Sequence, residues 1–298
     1  MGIQPILQHR QKKYSYKRWS KLPYAGETKP PAYPVTPDAR TWPLYYLTHN
    51  RIGHFDGPHG KRIPQILSPN LINWTKQLKV VRKVLHKLTP HQIAIAKYWG
   101  AGPATKQWVP ILDILIDTYS SYRIHNPIIT PTYAGRILAT THAAMNDTFV
   151  VTWQLKYQWD VARPNQIDPQ TVPILCTPVF PAYPSGHAAI AGCAEAMLSY
   201  FFPAEKERLK QLAQEAAQSR LYAGVHFPVD NQQGLKLGRQ IGKQITQFLA
   251  TQIDGTGKPI DQPLRQRRSA KLPPPQYEQV IPYSFSNYCS SKIKKVSP

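Results

Sequence analysis

The placement of proline limits this chain more than any other feature. Lys29-Pro30-Pro31-Ala32-Tyr33-Pro34 lies near one end and Pro273-Pro274-Pro275 near the other. Proline fixes φ and removes a backbone donor, so neither end can build a regular helix or a central strand. Between them, apolar residues recur at spacings of three and four over about 74–88, 108–121, 132–160, 187–201, 204–221 and 229–251, the period of helices with one buried face. Thr89-Pro90-His91-Gln92 adds a helix start, with Thr89 as cap, Pro90 at the first position and Gln92 completing a capping box, and Gly100 supplies the stop. Alternating strand patterns and hairpin dipeptides are scarce, and no repeat of fixed period is present. The expected fold class is therefore all-α, a helical bundle whose polar ligands project inward from facing helices. Residues 1–70 read as a Pro/Tyr-rich basic arm, 71–252 as the helical domain and 253–298 as a basic, Pro-rich, poorly ordered tail. The arm is expected to wrap over the core through Tyr24, Trp42, Tyr45 and Tyr46, whose apolar faces would otherwise sit in water.

Charge and cysteine usage narrow the function classes. Lys plus Arg outnumber Asp plus Glu by 37 to 16, so anionic ligands should be attracted in a salt-dependent way. No zinc-finger spacing, RNA-recognition signature or bZIP pattern accompanies the excess, and nucleic acid is not the expected partner. Cys176, Cys193 and Cys289 are odd in number and lack CxxC spacing, which argues against a disulfide framework and a structural zinc site and favours a reducing compartment. Arg10, Lys12, Lys13, Lys17, Arg18 and Lys21 precede no apolar run of the secretory kind, and the stretch 188–202 is too short for a membrane span and contains Glu195. The expectation is a soluble, cytoplasmic protein without an integral membrane segment, acting on a small-molecule substrate and open to homo-oligomer formation.

Three segments carry chemistry. Lys156 and Arg163 are seven residues apart, nearly two helical turns, with Pro164 biasing Arg163 out of the helical region. Phe180-Pro181-Ala182-Tyr183-Pro184-Ser185-Gly186-His187 ends at a helix start, where unpaired N–H groups bind anions, Gly186 admits close approach and the Ser185 hydroxyl adds a donor. His187 there can exchange a proton near neutral pH. In Ser219-Arg220-Leu221-Tyr222-Ala223-Gly224-Val225-His226-Phe227-Pro228-Val229-Asp230 a helix breaks at Gly224 and restarts around Val229, presenting His226. Asp230 is then placed to accept from one imidazole nitrogen and leave the other as nucleophile or ligand. Arg220 contributes the planar fork suited to tetrahedral oxyanions. Taken singly, each segment reads equally as a solvated face, an N-cap serine or a packed histidine.

Together and in this order, Lys-x6-Arg-Pro, Pro-Ser-Gly-His and Ser-Arg-x5-His-x3-Asp resemble the three-part signature of the vanadium haloperoxidases and the related type 2 phosphatidic acid phosphatases (the PAP2 superfamily), with every signature position filled over roughly 130–250. The resemblance implies that Lys156, Arg163, Ser185, the Gly186 backbone and Arg220 hold equatorial oxygens of an oxyanion. It makes His226 the group that attacks or ligates the central atom, with His187 opposite. With phosphorus, His226 forms a phosphohistidine, His187 protonates the departing alcohol and then activates water, and no cofactor is required. With vanadium, vanadate is the cofactor, bound permanently through His226. Hydrogen peroxide then binds there, with His187 helping to remove its proton and Lys156 polarising it, and a halide attacks to give hypohalous acid.

The cage serves both chemistries, so the flanking residues decide the expectation. Trp153, three before Lys156, and Phe180, five before Ser185, resemble the aromatic halide-facing positions of the fungal chloroperoxidase branch. Aromatic walls suit a weakly hydrated halide in a dry pocket. The expected function is a vanadate-dependent haloperoxidase, with a soluble PAP2-type acid phosphatase acting on phosphate monoesters as the alternative. A non-catalytic polyanion binder stands third, because simple binding needs no acid-base set of His187, His226 and Asp230. His142 and Asp147 lie on the helix before Lys156 and could support the site, although a packed histidine is the plainer reading. His49, His54 and His59 match no metal spacing and read as a polar loop.

Overall fold

The computed structural model describes residues 13–50, 54–120, 129–274, 276–285 and 289–292. Its helices are α1 Trp74–His86, α2 Pro90–Trp99, α3 Trp108–Ser120, α4 Pro131–Trp159, the single turn α5 Pro164–Ile167, α6 Gly186–Phe201, α7 Lys206–Tyr222 and α8 Pro228–Leu249. Among the described residues the only sheet is a two-stranded antiparallel ribbon, β1 Thr48–His49 and β2 Phe55–Asp56. The all-α reading holds. The capping box of α2 forms as expected, with Thr89 Oγ1 accepting from Gln92 N at 3.2 Å and Gln92 Oε1 accepting from Thr89 N at 3.0 Å.

Helix α6 is the axis of the bundle. Its residues Ala188 to Ala194 are fully buried, because Ala and Gly at nearly every position let neighbours approach on all sides. The closest neighbour is α8. A side chain on Gly238 would land on the Ala189 carbonyl, one on Gly234 would meet the Ser185 carbonyl, and one on Gly192 would meet the Leu235 carbonyl. The two helices thus pack backbone on backbone, and this seam fixes the start of α6, where Ser185, Gly186 and His187 sit, against the start of α8, where Asp230 sits. Ser185 N donates to the Asp230 carbonyl at 3.0 Å across that junction.

The arm lies over α4. Buried Asp147 accepts from the backbone N–H groups of Tyr45, Tyr46 and Leu47 at 2.9, 2.7 and 3.0 Å. Nearer the amino end, the Val35 carbonyl accepts from Tyr157 Oη at 2.7 Å and Trp153 Nε1 at 3.3 Å. Of the aromatic residues expected to anchor the arm, Tyr24 is buried, whereas Trp42 and Tyr45 remain 50% and 73% exposed. Tyr46 packs edge-on against Phe248 at 6.2 Å and Leu47 is buried, so main-chain bonds and these two side chains together hold that part of the arm.

The stretch after Thr251 has little regular structure, yet it is attached to the bundle. Arg136 binds Asp261 through both a 2.7 and a 2.8 Å contact, Leu264 N donates to the Phe201 carbonyl at 2.9 Å, and Tyr277 Oη reaches Glu215 at 3.0 Å. A composition that points to a loose tail is offset by these few anchors. The expectation of unpaired thiols is overturned: Cys176 and Cys289 form a disulfide across a sequence separation of 113. The odd count concealed the pair because the third cysteine, Cys193, packs fully buried in α6. With that bond, cysteine usage no longer argues for a reducing compartment. No described helix is long and apolar enough to cross a membrane.

The seam makes a testable demand. Gly238→Ala should lower stability by about 1–3 kcal/mol, as overpacking does in a tight core, while Gly255→Ala, whose new Cβ would meet nothing, should stay within about 0.5 kcal/mol of wild type. Urea midpoints of the two variants measure the difference.

Candidate active site

Lys156, Arg163, Arg220, His226, Asp230 and Ser185 are brought together in the interior, none more than 3% exposed. Lys156 lies one turn before the end of α4, and its Nζ donates to the Pro181 and Ala182 carbonyls at 2.8 and 2.9 Å. Arg163 is not on that helix. α4 stops at Trp159, Asp160 turns in the left-handed region, and Arg163 is the extended residue that opens α5. The Gln166 side chain accepts from Arg163 N at 2.8 Å. Its guanidinium donates from Nε to the Phe180 carbonyl at 3.0 Å and from Nη1 to the Val225 carbonyl at 2.8 Å. The Phe180 ring lies 5.1 Å from Lys156 Nζ and 5.0 Å from Arg163 Cζ, so one aromatic quadrupole serves two cations.

The third segment breaks where expected. α7 ends at Tyr222, Gly224 takes a left-handed φ of 74° that a side chain would strain, and α8 restarts at Pro228, leaving His226 in the turn. His226 Nδ1 meets Asp230 Oδ2 at 2.9 Å, and Nε2 meets Arg163 Nη1 at 3.0 Å. A guanidinium only donates, so Nε2 is the acceptor and Nδ1 carries the hydrogen given to Asp230. The Nε2 lone pair therefore points into the cation cluster. Phe227 N also donates to Asp230 Oδ2 at 3.0 Å, fixing the carboxylate that fixes the imidazole. Ser185 caps α6, accepting at Oγ from Ala188 N at 3.4 Å, which leaves its hydroxyl hydrogen to donate. A side chain on Gly186 would project toward the Trp153 ring and Lys156 Cε, into the space the helix start opens onto.

The electrostatics of this cluster are unbalanced. Three cations surround one carboxylate, and Arg163 Nη2, Arg220 Nε, Arg220 Nη1 and His187 Nε2 are buried without a partner. An unpaired buried donor costs about 1–3 kcal/mol, and more when charged. Burial, and then Arg163, Asp230 and Arg220 in opposing senses, holds the Lys156 ammonium well below its usual pKa. Burial pushes Arg163 down to about 10, and burial with repulsion from Arg163 takes Arg220 down to about 9. His187 and His226 are driven well below the usual histidine value by burial and then by the surrounding cations. Burial also raises Asp230, against the Phe227 N–H and the nearby Lys156 and Arg163. A tetrahedral oxyanion would fill all these vacancies at once, supplying acceptors to the orphaned nitrogens and charge to the surplus cations.

Above the cluster opens a cavity of about 450 Å3, with Gly186, His187, Arg220 and His226 on its floor. Trp153 and Phe180 line it together, ring centroids 5.0 Å apart. Phe149 joins Trp153 edge-on at 5.6 Å; it was missed in the sequence, although its place four residues before Trp153 puts it on the same face of α4. Gly100 was also read only as a helix stop. A side chain there would come within 2.9 Å of Arg220 Nη1, so its absence gives the guanidinium room. Of the two residues weighed as support, Asp147 holds the arm, while His142 is exposed, bonded to the Leu138 carbonyl, and lines a separate surface cavity. His49 and His59 pack on Phe55 and Phe248, and no cluster of metal-ligating residues occurs among the described residues.

The chain is similar to known proteins in sequence and in fold. Residues 134–254 match the model of the PAP2 superfamily. Among solved structures, a bacterial vanadium-dependent iodoperoxidase is 25% identical with a TM-score of 0.57, covering 77% of this chain and 60% of its own. The apo form of a bacterial vanadium-dependent chloroperoxidase is 15% identical with a TM-score of 0.56, covering 83% and 65%; this second likeness concerns the fold. The chain thus spans a little under two thirds of the haloperoxidase structures it matches. None of the curated proteins searched matches it. Residues 134–254 thus resemble the PAP2 superfamily, and the solved structures similar to this chain include vanadium haloperoxidases.

The cage itself can be tested with sulfate, a tetrahedral dianion that carries no titrating proton near neutrality. An anion beside His187 raises a pKa that is depressed in the free protein, so binding should take up protons. Calorimetry in two buffers of different ionisation heat should show net uptake, and Arg220→Ala should weaken binding at least about tenfold, or roughly 1.4 kcal/mol.

Proposed function

We propose that this protein is a vanadate-dependent haloperoxidase that oxidises halide with hydrogen peroxide at an oxyanion held by His226. The observation that carries the reading is a buried cationic cluster with four orphaned nitrogens beside a cavity walled by Trp153 and Phe180. The donor set fits vanadate: Lys156, Arg163, Ser185, the Gly186 N–H and Arg220 would hold its oxygens, and the proton-free Nε2 of His226 its metal. When bound, vanadate supplies a Lewis-acid centre that activates hydrogen peroxide toward a halide.

The residues of the chain perform the rest. Asp230 holds the His226 tautomer that leaves Nε2 free. His187, whose Nε2 is buried without a partner, would take up and return a proton there. Lys156, steadied by two carbonyls, would have one N–H left to donate to an oxygen of the oxyanion. Trp153 and Phe180 exclude water, which strengthens each of these interactions. The likeness to a vanadium-dependent iodoperoxidase supports this reading.

A second reading uses the same groups. The proton-free Nε2 of His226, which accepts from Arg163 Nη1, is equally suited to attack phosphorus, with His187 protonating the leaving alcohol, and the superfamily match supports a phosphatase on those terms. The apolar entrance favours the first reading, because a phosphate monoester would lose its hydration along an uncharged wall.

Two assays on one metal-stripped preparation separate them: bromide-dependent halogenation of a phenol dye with peroxide and added vanadate, and hydrolysis of a chromogenic phosphate monoester without vanadate. Halogenation that requires vanadate and falls on adding phosphate is expected; ester hydrolysis blocked by vanadate would instead assign the phosphatase. His226→Ala should abolish whichever activity is present, and an unimpaired variant would remove the proposed centre. Orthovanadate and phosphate should compete in calorimetry, so independent simultaneous binding would contradict a single cage.

A further inference from the structure

The Cys176–Cys289 bond lies at the edge of the reaction centre. Cys176 lines the cavity above the cage and belongs to a loop whose two ends touch the cations. A side chain on Gly100 would meet both Leu175 Cδ1 and Arg220 Nη1, so Leu175 sits beside Arg220. At the other end the Phe180 carbonyl holds Arg163, and the Phe180 ring faces Arg163 and Lys156. Residues 289–292 are wedged between this loop and α5. The Ser291 hydroxyl accepts from Thr177 N at 2.9 Å, and the Ser291 carbonyl accepts from Asn165 Nδ2 at 3.3 Å. Asn165 Nδ2 also donates to Thr177 Oγ1 at 2.9 Å, and Asn165, Thr177 and Ser291 are all buried. The short segment therefore fastens the loop that carries Phe180 to the turn that carries Arg163. A few hydrogen bonds hold four residues poorly, because each is worth little against the entropy of ordering them. The covalent bond keeps Ser291 at high effective concentration beside its partners.

We propose that the Cys176–Cys289 bond is a redox latch on the oxyanion cage. Closed, it keeps Phe180 and Arg163 in register and the cage binds its anion; open, residues 289–292 leave the groove beside α5 and anion affinity falls. The inference rests on the cage, which both readings of the function share. A dithiol reductant opens the latch by exchange: its two thiols become a disulfide, two electrons pass into the Cys176–Cys289 bond, and each cysteine ends as a thiol. Hydrogen peroxide closes it. One thiol takes an oxygen from peroxide, whose O–O bond breaks to release water, and becomes a sulfenic acid; the second thiol displaces that oxygen as another water while the S–S bond forms. Both cysteines are half-buried, so reductant and peroxide can reach the sulfurs. Peroxide that enters the cavity meets Cys176 there, and the oxidant itself sets the cage in its binding form.

The latch is tested on the full chain with sulfate as the probe. Calorimetry compares oxidised protein, protein reduced with dithiothreitol, and reduced protein treated with hydrogen peroxide and then freed of it; alkylation and mass spectrometry follow the two thiols in each. Sulfate should bind at least about fivefold more weakly after reduction, and peroxide should restore the original affinity as the thiols disappear. Cys289→Ser should bind like the reduced protein and respond to neither reagent. Ser291→Ala, which keeps the bond but removes the contact with Thr177, should weaken sulfate at least about twofold. Arg136→Ala, which removes the Asp261 anchor of the same stretch, should bind sulfate as wild type does, separating the latch from general loosening. Wild-type affinity in the reduced protein would overturn the inference whether or not Cys289→Ser folds, as would both thiols remaining free after peroxide. Oxidised protein that binds no sulfate would overturn the cage itself, and the latch with it.

Discussion

Everything at the centre of this molecule follows from burying three cations beside one carboxylate. In a low-dielectric interior such an excess is strongly unfavourable, and the chain limits the cost with neutral groups. Carbonyls of Phe180, Pro181, Ala182 and Val225 turn toward the cations, and the face of Phe180 stands over two of them. What these dipoles leave unmet defines the ligand: an anion with several acceptor oxygens. Burial, reinforced by the same imbalance, holds both histidines well below their usual pKa without a ligand, so that one can offer a lone pair and the other can take up a proton.

Holding like charges together requires a scaffold that does not yield. The α6–α8 seam provides it, because backbone packed on backbone has no side-chain rotamers through which strain can relax. The starts of both helices, and with them Ser185, Gly186, His187 and Asp230, are set by that contact. The helix-start groups that face the cations are thus positioned by the glycines of the seam.

Sequence disclosed the helices and the cage well, for a physical reason. Helix caps, the break at Gly224 and the His226–Asp230 spacing are local, and their geometry follows from a few adjacent residues. Contacts between distant segments were less legible. The Cys176–Cys289 pair was hidden by an unpaired core cysteine, and the anchors of the last segment, such as Arg136 with Asp261, carry no local pattern. Asp147 was noticed for the wrong destination, since a carboxylate that binds backbone N–H groups needs no recognisable partner residue. The lining of the cavity escaped for a related reason: Phe149 carries no motif, and Trp42, expected to anchor the arm, reaches the cavity only because the arm is laid across α4.

That manner of attachment gives the arm an unusual liberty. Asp147 holds Tyr45, Tyr46 and Leu47 by their amides, and Tyr157 and Trp153 hold Val35 by its carbonyl; neither clasp reads the side chains it grips. The exposed positions of the segment between them can therefore exchange side chains while the segment keeps its path, much as a bezel accepts different stones. Variation along residues 36–44 should remodel the entrance while the reaction centre beneath it stays fixed, making this short stretch the natural place for the protein to diversify what it admits.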